Sequence, residues 1–280
     1  MVRPQVPVMA HRCNQSRRQS QLGILRTLRD QEDSVKPLIY CVASRGWSGF
    51  MDCIRSWRET ASTEYSIHIA MGLDVVPAMQ QCYEDTKEPI LAYLHDDVII
   101  HEQGWDLRVL KEFEDAAVGL VSFTGALGHG RPDLYRVPYH LPDLARQHFI
   151  SNMRDAETHG ARFTGARDVA IADGSSCFVR RSILDNWKHP GCAPGMVDQF
   201  PKHRGFPDHA PVGYFMWMEN LCCEVRRQGF RIRMVGVDFT HLGGRTSAQH
   251  TTEDRQRQYE QEHEYFYRHN RDVMPYRVPE

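Results

Sequence analysis

Several features are missing from this chain, and each absence excludes a class of protein. No apolar run approaches the roughly 20 residues needed to span a bilayer. The opening Met1-Val2-Arg3-Pro4 has none of the apolar core of a secretion signal. A cytoplasmic location with no membrane span is therefore expected. None of the 8 cysteines forms a C-x-x-C pair, which leaves a thiolate zinc site with little support. Several cysteines lie in apolar stretches, where a reduced thiol packs as a small hydrophobe. His263 and His269 do not form an H-E-x-x-H arrangement, so a zinc hydrolase is disfavoured. The formal net charge of -2 gives no global electrostatic reason to expect nucleic acid or an anionic membrane as partner, although it averages over any local basic patch. There is no internal repeat and no long low-complexity tract.

What is present is the composition of an ordinary globular protein. With 280 residues, 41% hydrophobic and 25% charged, the chain can form one large α/β domain or two small ones. Residues 1–36 are polar and basic around Asn14-Gln15-Ser16-Arg17-Arg18-Gln19-Ser20. They read as a flexible or loosely docked arm, with contact to a polyanionic acceptor as the functional alternative. From Pro37 strands and helices alternate. Apolar runs at Leu38 to Ala43, Tyr65 to Met71, Ile90 to Leu94 and Val118 to Phe123 predict strands. Helical spacing links Phe50, Ile54 and Trp57; a second helix opens near Pro77, and a third carries Leu107, Leu110 and Phe113. Such alternation implies a central, mainly parallel sheet flanked by helices. The stretch from Gly125 to Ala170 is expected to be irregular. A strand at Cys177-Phe178-Val179 leads into a helix from Arg181 to Trp187, and another loop covers Pro190 to Pro211. A helix carrying Met218, Leu221, Cys222 and Val225 ends at Gly229, and a strand alternates Phe230, Ile232 and Met234 with Arg231 and Arg233. A polar helix is expected from about Glu253 to Asn270.

In open α/β sheets, ligands bind beyond the carboxyl ends of the strands. Asp96 and Asp97 stand at such an end, directly after Ile90-Leu91-Ala92-Tyr93-Leu94. Adjacent carboxylates repel, so a pair held by a rigid strand suits a hard divalent cation and, through it, a diphosphate. A solvated turn or a helix cap is the alternative.

The order of motifs gives a more specific resemblance. Leu94-His95-Asp96-Asp97-Val98 after strand, helix and strand is similar to the strand end of glycosyltransferase family 2, of the GT-A fold. Asp173 to Arg181 resembles that family's acceptor-side segment, here including Gly174 and Ser175. Tyr214 to Gly229 resembles the segment with the catalytic carboxylate, and Val237 to Gly244 resembles the closing strand. The resemblance covers roughly residues 37–250 and makes 251–280 a C-terminal helix packed on the domain. It implies a GT-A (nucleotide-diphospho-sugar transferase) fold and an inverting transfer from a nucleoside-diphosphate sugar, a UDP-sugar foremost. Mn2+ or Mg2+ would be held by Asp97 and His241. Glu219 would be the catalytic base, within one or two positions of register.

By the same resemblance Ser44, Arg45, Asp74, His95, Asp96 and Arg245 would meet the nucleotide-sugar, and Trp217 would stand on the acceptor side. Asp74 also suits helix capping, and Arg245 an exposed loop. The chain departs from the family twice: His95 replaces the first acid of an Asp-x-Asp, and Asn220 replaces a second carboxylate beside Glu219. His95 fits either a ligand or an outer position. The acceptor is open among a glycan, a protein, a small molecule and a hydroxylated DNA base, the last suggested by the basic arm and by Arg131 to Arg167. A nucleotidyltransferase is disfavoured, because Cys41-Val42-Ala43-Ser44-Arg45-Gly46 is a poor phosphate loop. An inactive nucleotide-sugar-binding module is the rival from another class.

Overall fold

The computed structural model describes residues 38–44, 49–71, 75–129, 149–154, 160–187, 217–243, 266, 270–273 and 276–278. In chain order the first half holds β1 (Leu38–Ser44), α1 (Phe50–Thr60), β2 (Ser66–Met71), α2 (Val75–Asp85), β3 (Ile90–Leu94), β4 (Val98–Ile100), α3 (Trp105–Glu112), β5 (Val118–Ser122), β6 (Thr124–Ala126) and β7 (Gly128–His129). There follow β8 (Phe149–Ser151), β9 (Ala161–Arg162), β10 (Ala166–Val169), β11 (Ile171–Ala172), β12 (Ser176–Arg180), α4 (Arg181–Asp185), α5 (Trp217–Arg227), β13 (Arg231–Val235), β14 (Phe239–His241) and β15 (Tyr276–Arg277). The α/β class read from the sequence is the one observed, and every strand and helix read between residues 38 and 122 is present.

The main sheet has seven strands in the order β10-β13-β5-β12-β3-β1-β2. Strands β2, β1, β3, β5 and β13 run in one direction, whereas β12 is antiparallel to both β3 and β5, and β10 is antiparallel to β13. The mainly parallel character is thus one of strand direction, with β12 threaded back through the middle. That reversal matters for function. It brings the start of β12 alongside the carboxyl end of β3, with Ser176 opposite Leu94.

β3 shows why this sheet is covered on both faces. All five of its side chains are buried, as a period-two strand requires when neither face is wet. Ile90, Ala92 and Leu94 join a core with Trp57 of α1 and Trp105 and Val109 of α3. Leu91 and Tyr93 join the opposite core with Ala78 and Met79 of α2 and Trp217, Leu221 and Val225 of α5. Gly229 ends α5 with φ 81°, a left-handed conformation that glycine adopts without steric cost.

Three sequence expectations need amendment. The stretch from Gly125 to Ala170 was expected to be irregular, but its described parts pair: β11, β6, β8 and β9 form a second sheet, and β7 pairs with β15. Strands of two to four residues, interrupted by glycine, are too short to show a period in the sequence. The helix expected to carry Leu107, Leu110 and Phe113 ends at Glu112, just before Phe113; Leu107 is 51% exposed, and Trp105, Asp106 and Val109 are the helix's buried residues. Of the helix expected at about 253–270, only Phe266 and Asn270 are described; Phe266 is helical and both are buried. The arm at 1–36 and the loop at 190–211 lie outside the described residues.

Asp106 explains why a carboxylate faces inward on α3. It is fully buried and accepts hydrogen bonds from Ser62 N (2.9 Å), Thr63 N (2.7 Å) and Thr63 Oγ1 (2.5 Å). It thereby closes the loop between α1 and β2. Hydrogen bonds to a charged group contribute more than neutral ones, and deleting their acceptor strands buried donors. Asp106→Ala is expected to cost about 3 kcal/mol or more, measured by urea unfolding. A loss below about 1 kcal/mol would mean that this loop is held elsewhere.

Candidate active site

The strand end at His95 is built from three backbone connections. Ser175 O accepts from His95 N at 3.0 Å, which joins the turn before β12 to the end of β3. His95 O accepts from Val98 N at 3.2 Å, closing a tight turn over Asp96 and Asp97. β14 then lies antiparallel to β4 with His241 opposite Val98, and Leu242 N donates to Asp97 O at 2.9 Å. A histidine 144 positions from Asp97 (241 minus 97) is placed beside it by this short ladder. Helix α1 backs the turn: Trp57 Nε1 donates to Val98 O at 2.8 Å, and Ile100 N donates to Ser56 Oγ at 3.1 Å.

Three donor atoms converge here. Asp97 Oδ1 lies 3.1 Å from His241 Nε2 and 3.8 Å from His95 Nδ1. The two ring nitrogens are 3.3 Å apart. Asp97 is 5% exposed, and its buried Oδ1 lies against the two imidazoles. Among the described residues this is the one cluster of three or more such side chains with the spacing of a metal site.

Its electrostatics suit a cation. Burial alone would raise the Asp97 carboxyl, but the close His241 and the nearby His95 outweigh it and hold the carboxyl below its ordinary value. Desolvation in the packed turn, then the neighbouring His241, push the His95 imidazole down to about 4, against the pull of Asp97 and Asp173. Its ring is therefore neutral at pH 7, with a lone pair to offer. Burial works against a charged His241 as well, yet Asp97, Asp173 and Asp96 more than compensate and raise it. Asp97 and Asp96 also reach Cys53 of α1, whose thiol is pushed up to about 12, chiefly by burial.

The remaining expected site residues divide into three groups. Asp96 is buried at the same turn, Gly174 and Ser175 border it, and among the described residues the buried Ser175 hydroxyl has no hydrogen-bond partner. Trp217 opens α5 and is 5% exposed; its ring meets Tyr93 edge-on at 5.3 Å, and Tyr93 in turn meets His95 at 5.6 Å. A Cβ on Gly174 would lie 3.3 Å from Trp217 Cζ2, so glycine is what lets the turn and the indole sit so close. Glu219, in the first turn of α5, is 9% exposed. Ser44 ends β1, one strand from the cluster. Arg45, Asp74 and Arg245 lie outside the described residues.

Two residues acquire roles that no single stretch of sequence announces. Asp173 accepts a hydrogen bond from Ser175 N at 2.9 Å, and its charge bears on both histidines. Its one sequence signal is an acid placed directly before Gly174-Ser175 at the mouth of β12. Asn270, fully buried, donates to Asn220 Oδ1 and to Phe266 O, both at 2.9 Å, and accepts from Arg227 at 2.8 Å. Asn220, where a second carboxylate was the family expectation, thus ties α5 to the C-terminal segment.

No protein-family model and no curated protein matches the chain. Among solved structures, the chain is similar to a mannosyltransferase, PcManGT from Pyrobaculum calidifontis in complex with GDP-Man and Mn2+ (12% identity over 94% of this chain and 74% of that one, TM-score 0.49). It is also similar to glucosyl-3-phosphoglycerate synthase from Mycobacterium tuberculosis in complex with Mn2+, UDP and glucosyl-3-phosphoglycerate (9% identity, 100% and 88%, TM-score 0.47). A third is GalNAc-T7 with UDP, GalNAc and Mn2+ (9% identity, 74% and 43%, TM-score 0.44).

Proposed function

We propose that this chain is a metal-dependent, inverting GT-A glycosyltransferase of the family 2 type, which moves a sugar from a nucleoside diphosphate, UDP foremost, to an acceptor hydroxyl. The observation that carries the reading is the convergence of Asp97 and His241 at the carboxyl end of β3, beside the N-terminus of the helix bearing Glu219. Residues 37–250 would be the transferase domain, 1–36 an arm and 251–280 a packed C-terminal helix. Among the described residues no helix is long and apolar enough to cross a membrane.

The donor set fits a divalent ion. Ligand atoms at right angles around an ion with bonds of about 2.1 Å lie about 3 Å apart, and the spacings of 3.1, 3.3 and 3.8 Å are of that order. Bound there, a divalent ion would neutralise the charge that develops on the departing diphosphate. The protein does the rest. Glu219 takes the acceptor hydroxyl proton as that oxygen bonds to the anomeric carbon, and the bond from that carbon to the diphosphate oxygen breaks with its electron pair. Asp96 borders the donor and Gly174 and Ser175 the acceptor side, so that the two are aligned, and alignment itself lowers the barrier. Ser44, Arg45, Asp74 and Arg245 would hold the nucleotide and its phosphates.

The test is incubation of the full chain with a panel of UDP-, GDP- and dTDP-sugars and Mn2+, with released nucleoside diphosphate measured. Release from one donor, lost on adding EDTA, is expected. Binding without release from any donor, with or without added glycan, protein, small-molecule or DNA acceptors, would make the chain a binding module.

A further inference from the structure

The atoms at the strand end point to a choice of metal as well as to its presence. The inference rests on the reading that Asp97 and His241 hold the ion, and it concerns the residue at which this chain departs from an Asp-x-Asp strand end. We propose that His95 is the third protein ligand, through Nδ1, and that the resulting set of two imidazole nitrogens and one carboxylate oxygen selects a first-row transition-metal ion over Mg2+.

The geometry places His95 in this role. Its backbone is pinned on both sides, by Ser175 O to its N–H and by Val98 N to its carbonyl. Its ring is braced edge-on by Tyr93 at 5.6 Å. Held so, Nδ1 comes within 3.3 Å of His241 Nε2 and 3.8 Å of Asp97 Oδ1. Two ring nitrogens that close cannot both carry a proton. In the tautomers that metal binding requires, His95 protonated on Nε2 and His241 on Nδ1, both inward nitrogens would offer lone pairs beside the carboxylate oxygen. Such a triangle of acceptors repels itself unless a cation or a shared proton lies among them.

Ion preference follows from the donor atoms. Mg2+ favours an octahedron of oxygen ligands and gives up water reluctantly. Imidazole nitrogen suits later first-row ions, and affinity climbs from Mn2+ towards Zn2+ and Cu2+. Asp96 and Asp173 add negative charge around the cluster without adding a nitrogen. An aspartate at position 95 would instead make an oxygen-richer set, more hospitable to Mg2+. The substitution of His for Asp is then a change of metal, with the site kept.

Pulsed EPR of the full chain loaded with MnCl2, without sugar donor, counts the coordinated imidazoles directly. Two are expected in the wild type and one in His95→Asp. In competition, Mg2+ should need at least about a hundredfold excess to displace half of the Mn2+ from wild type, and His95→Asp should lower that ratio about tenfold or more. One nitrogen in the wild type, an unchanged ratio in a His95→Asp protein that binds Mn2+, or no Mn2+ binding by the wild type would each overturn the proposal. The wild-type nitrogen count needs no variant to fold. Because these readings are made without donor, a Mn2+-loaded chain that transfers no sugar would sink the transferase reading and leave the two-nitrogen site standing.

Discussion

Asp97→Asn is expected to abolish Mn2+ binding in the micromolar range and to lower sugar transfer at least about a hundredfold, with the fold intact. Asp97 supplies the anionic donor among the three converging side chains, and its Oδ1 is buried against both imidazoles. The amide is nearly the same size, so packing at the turn need not change. What changes is the charge. An amide oxygen is a neutral, weaker ligand, and two imidazoles alone leave a divalent ion poorly compensated. The same substitution removes the anion that raises His241, so that histidine should titrate lower in the variant. Calorimetric titration with Mn2+, alongside a unfolding curve for each protein, separates the two effects. Wild-type Mn2+ affinity in a folded Asp97→Asn protein would take Asp97 out of the ligand set and with it the strand-end reading of the site.

How much of this was legible in the sequence depends on the range over which each signal acts. β3 was readable to the residue, because five consecutive apolar side chains ending on two acids have few structural alternatives. Asp97 and His241 were paired through resemblance, and the β4–β14 ladder supplies the physical reason they meet. His95 was read as a contact to the nucleotide or the metal, or as an outer residue; that its Nδ1 lies 3.3 Å from His241 Nε2 is a fact of three-dimensional convergence that no spacing announces. The second sheet stayed hidden because strands of two or three residues carry no period. Which face of α3 turns inward was not read from the sequence; it is fixed by Trp105 and by the Asp106 loop closure. Asn220 read as a lost carboxylate, while its partner Asn270 lies 50 residues away and became visible only in the fold.

Glu219→Gln is expected to lower kcat about a thousandfold, within the range typical of a general base, while leaving the affinities for UDP and Mn2+ within about twofold of wild type. The choice of Glu219 rests on its place in the fold, in the first turn of α5. Glu224, the other acid of α5, sits toward the far end of the helix, where it accepts a hydrogen bond from Gln228 Nε2 at 2.9 Å and lies 3.7 Å from Arg227. Position 220 is committed to Asn270. Glu219 stands in the first turn, two residues after Trp217, whose contacts with Tyr93 and Gly174 fix that turn against the strand end. Glutamine keeps the shape and the buried packing but cannot take a proton, so the loss should fall on turnover and not on donor binding. Asn220→Ala provides the contrast: it should lower stability through the lost bond to Asn270 and spare kcat in the folded fraction. If Glu219→Gln turned over at the wild-type rate, the base would have to be sought in another side chain, and Asp173, which already faces the two histidines, would be the first to test.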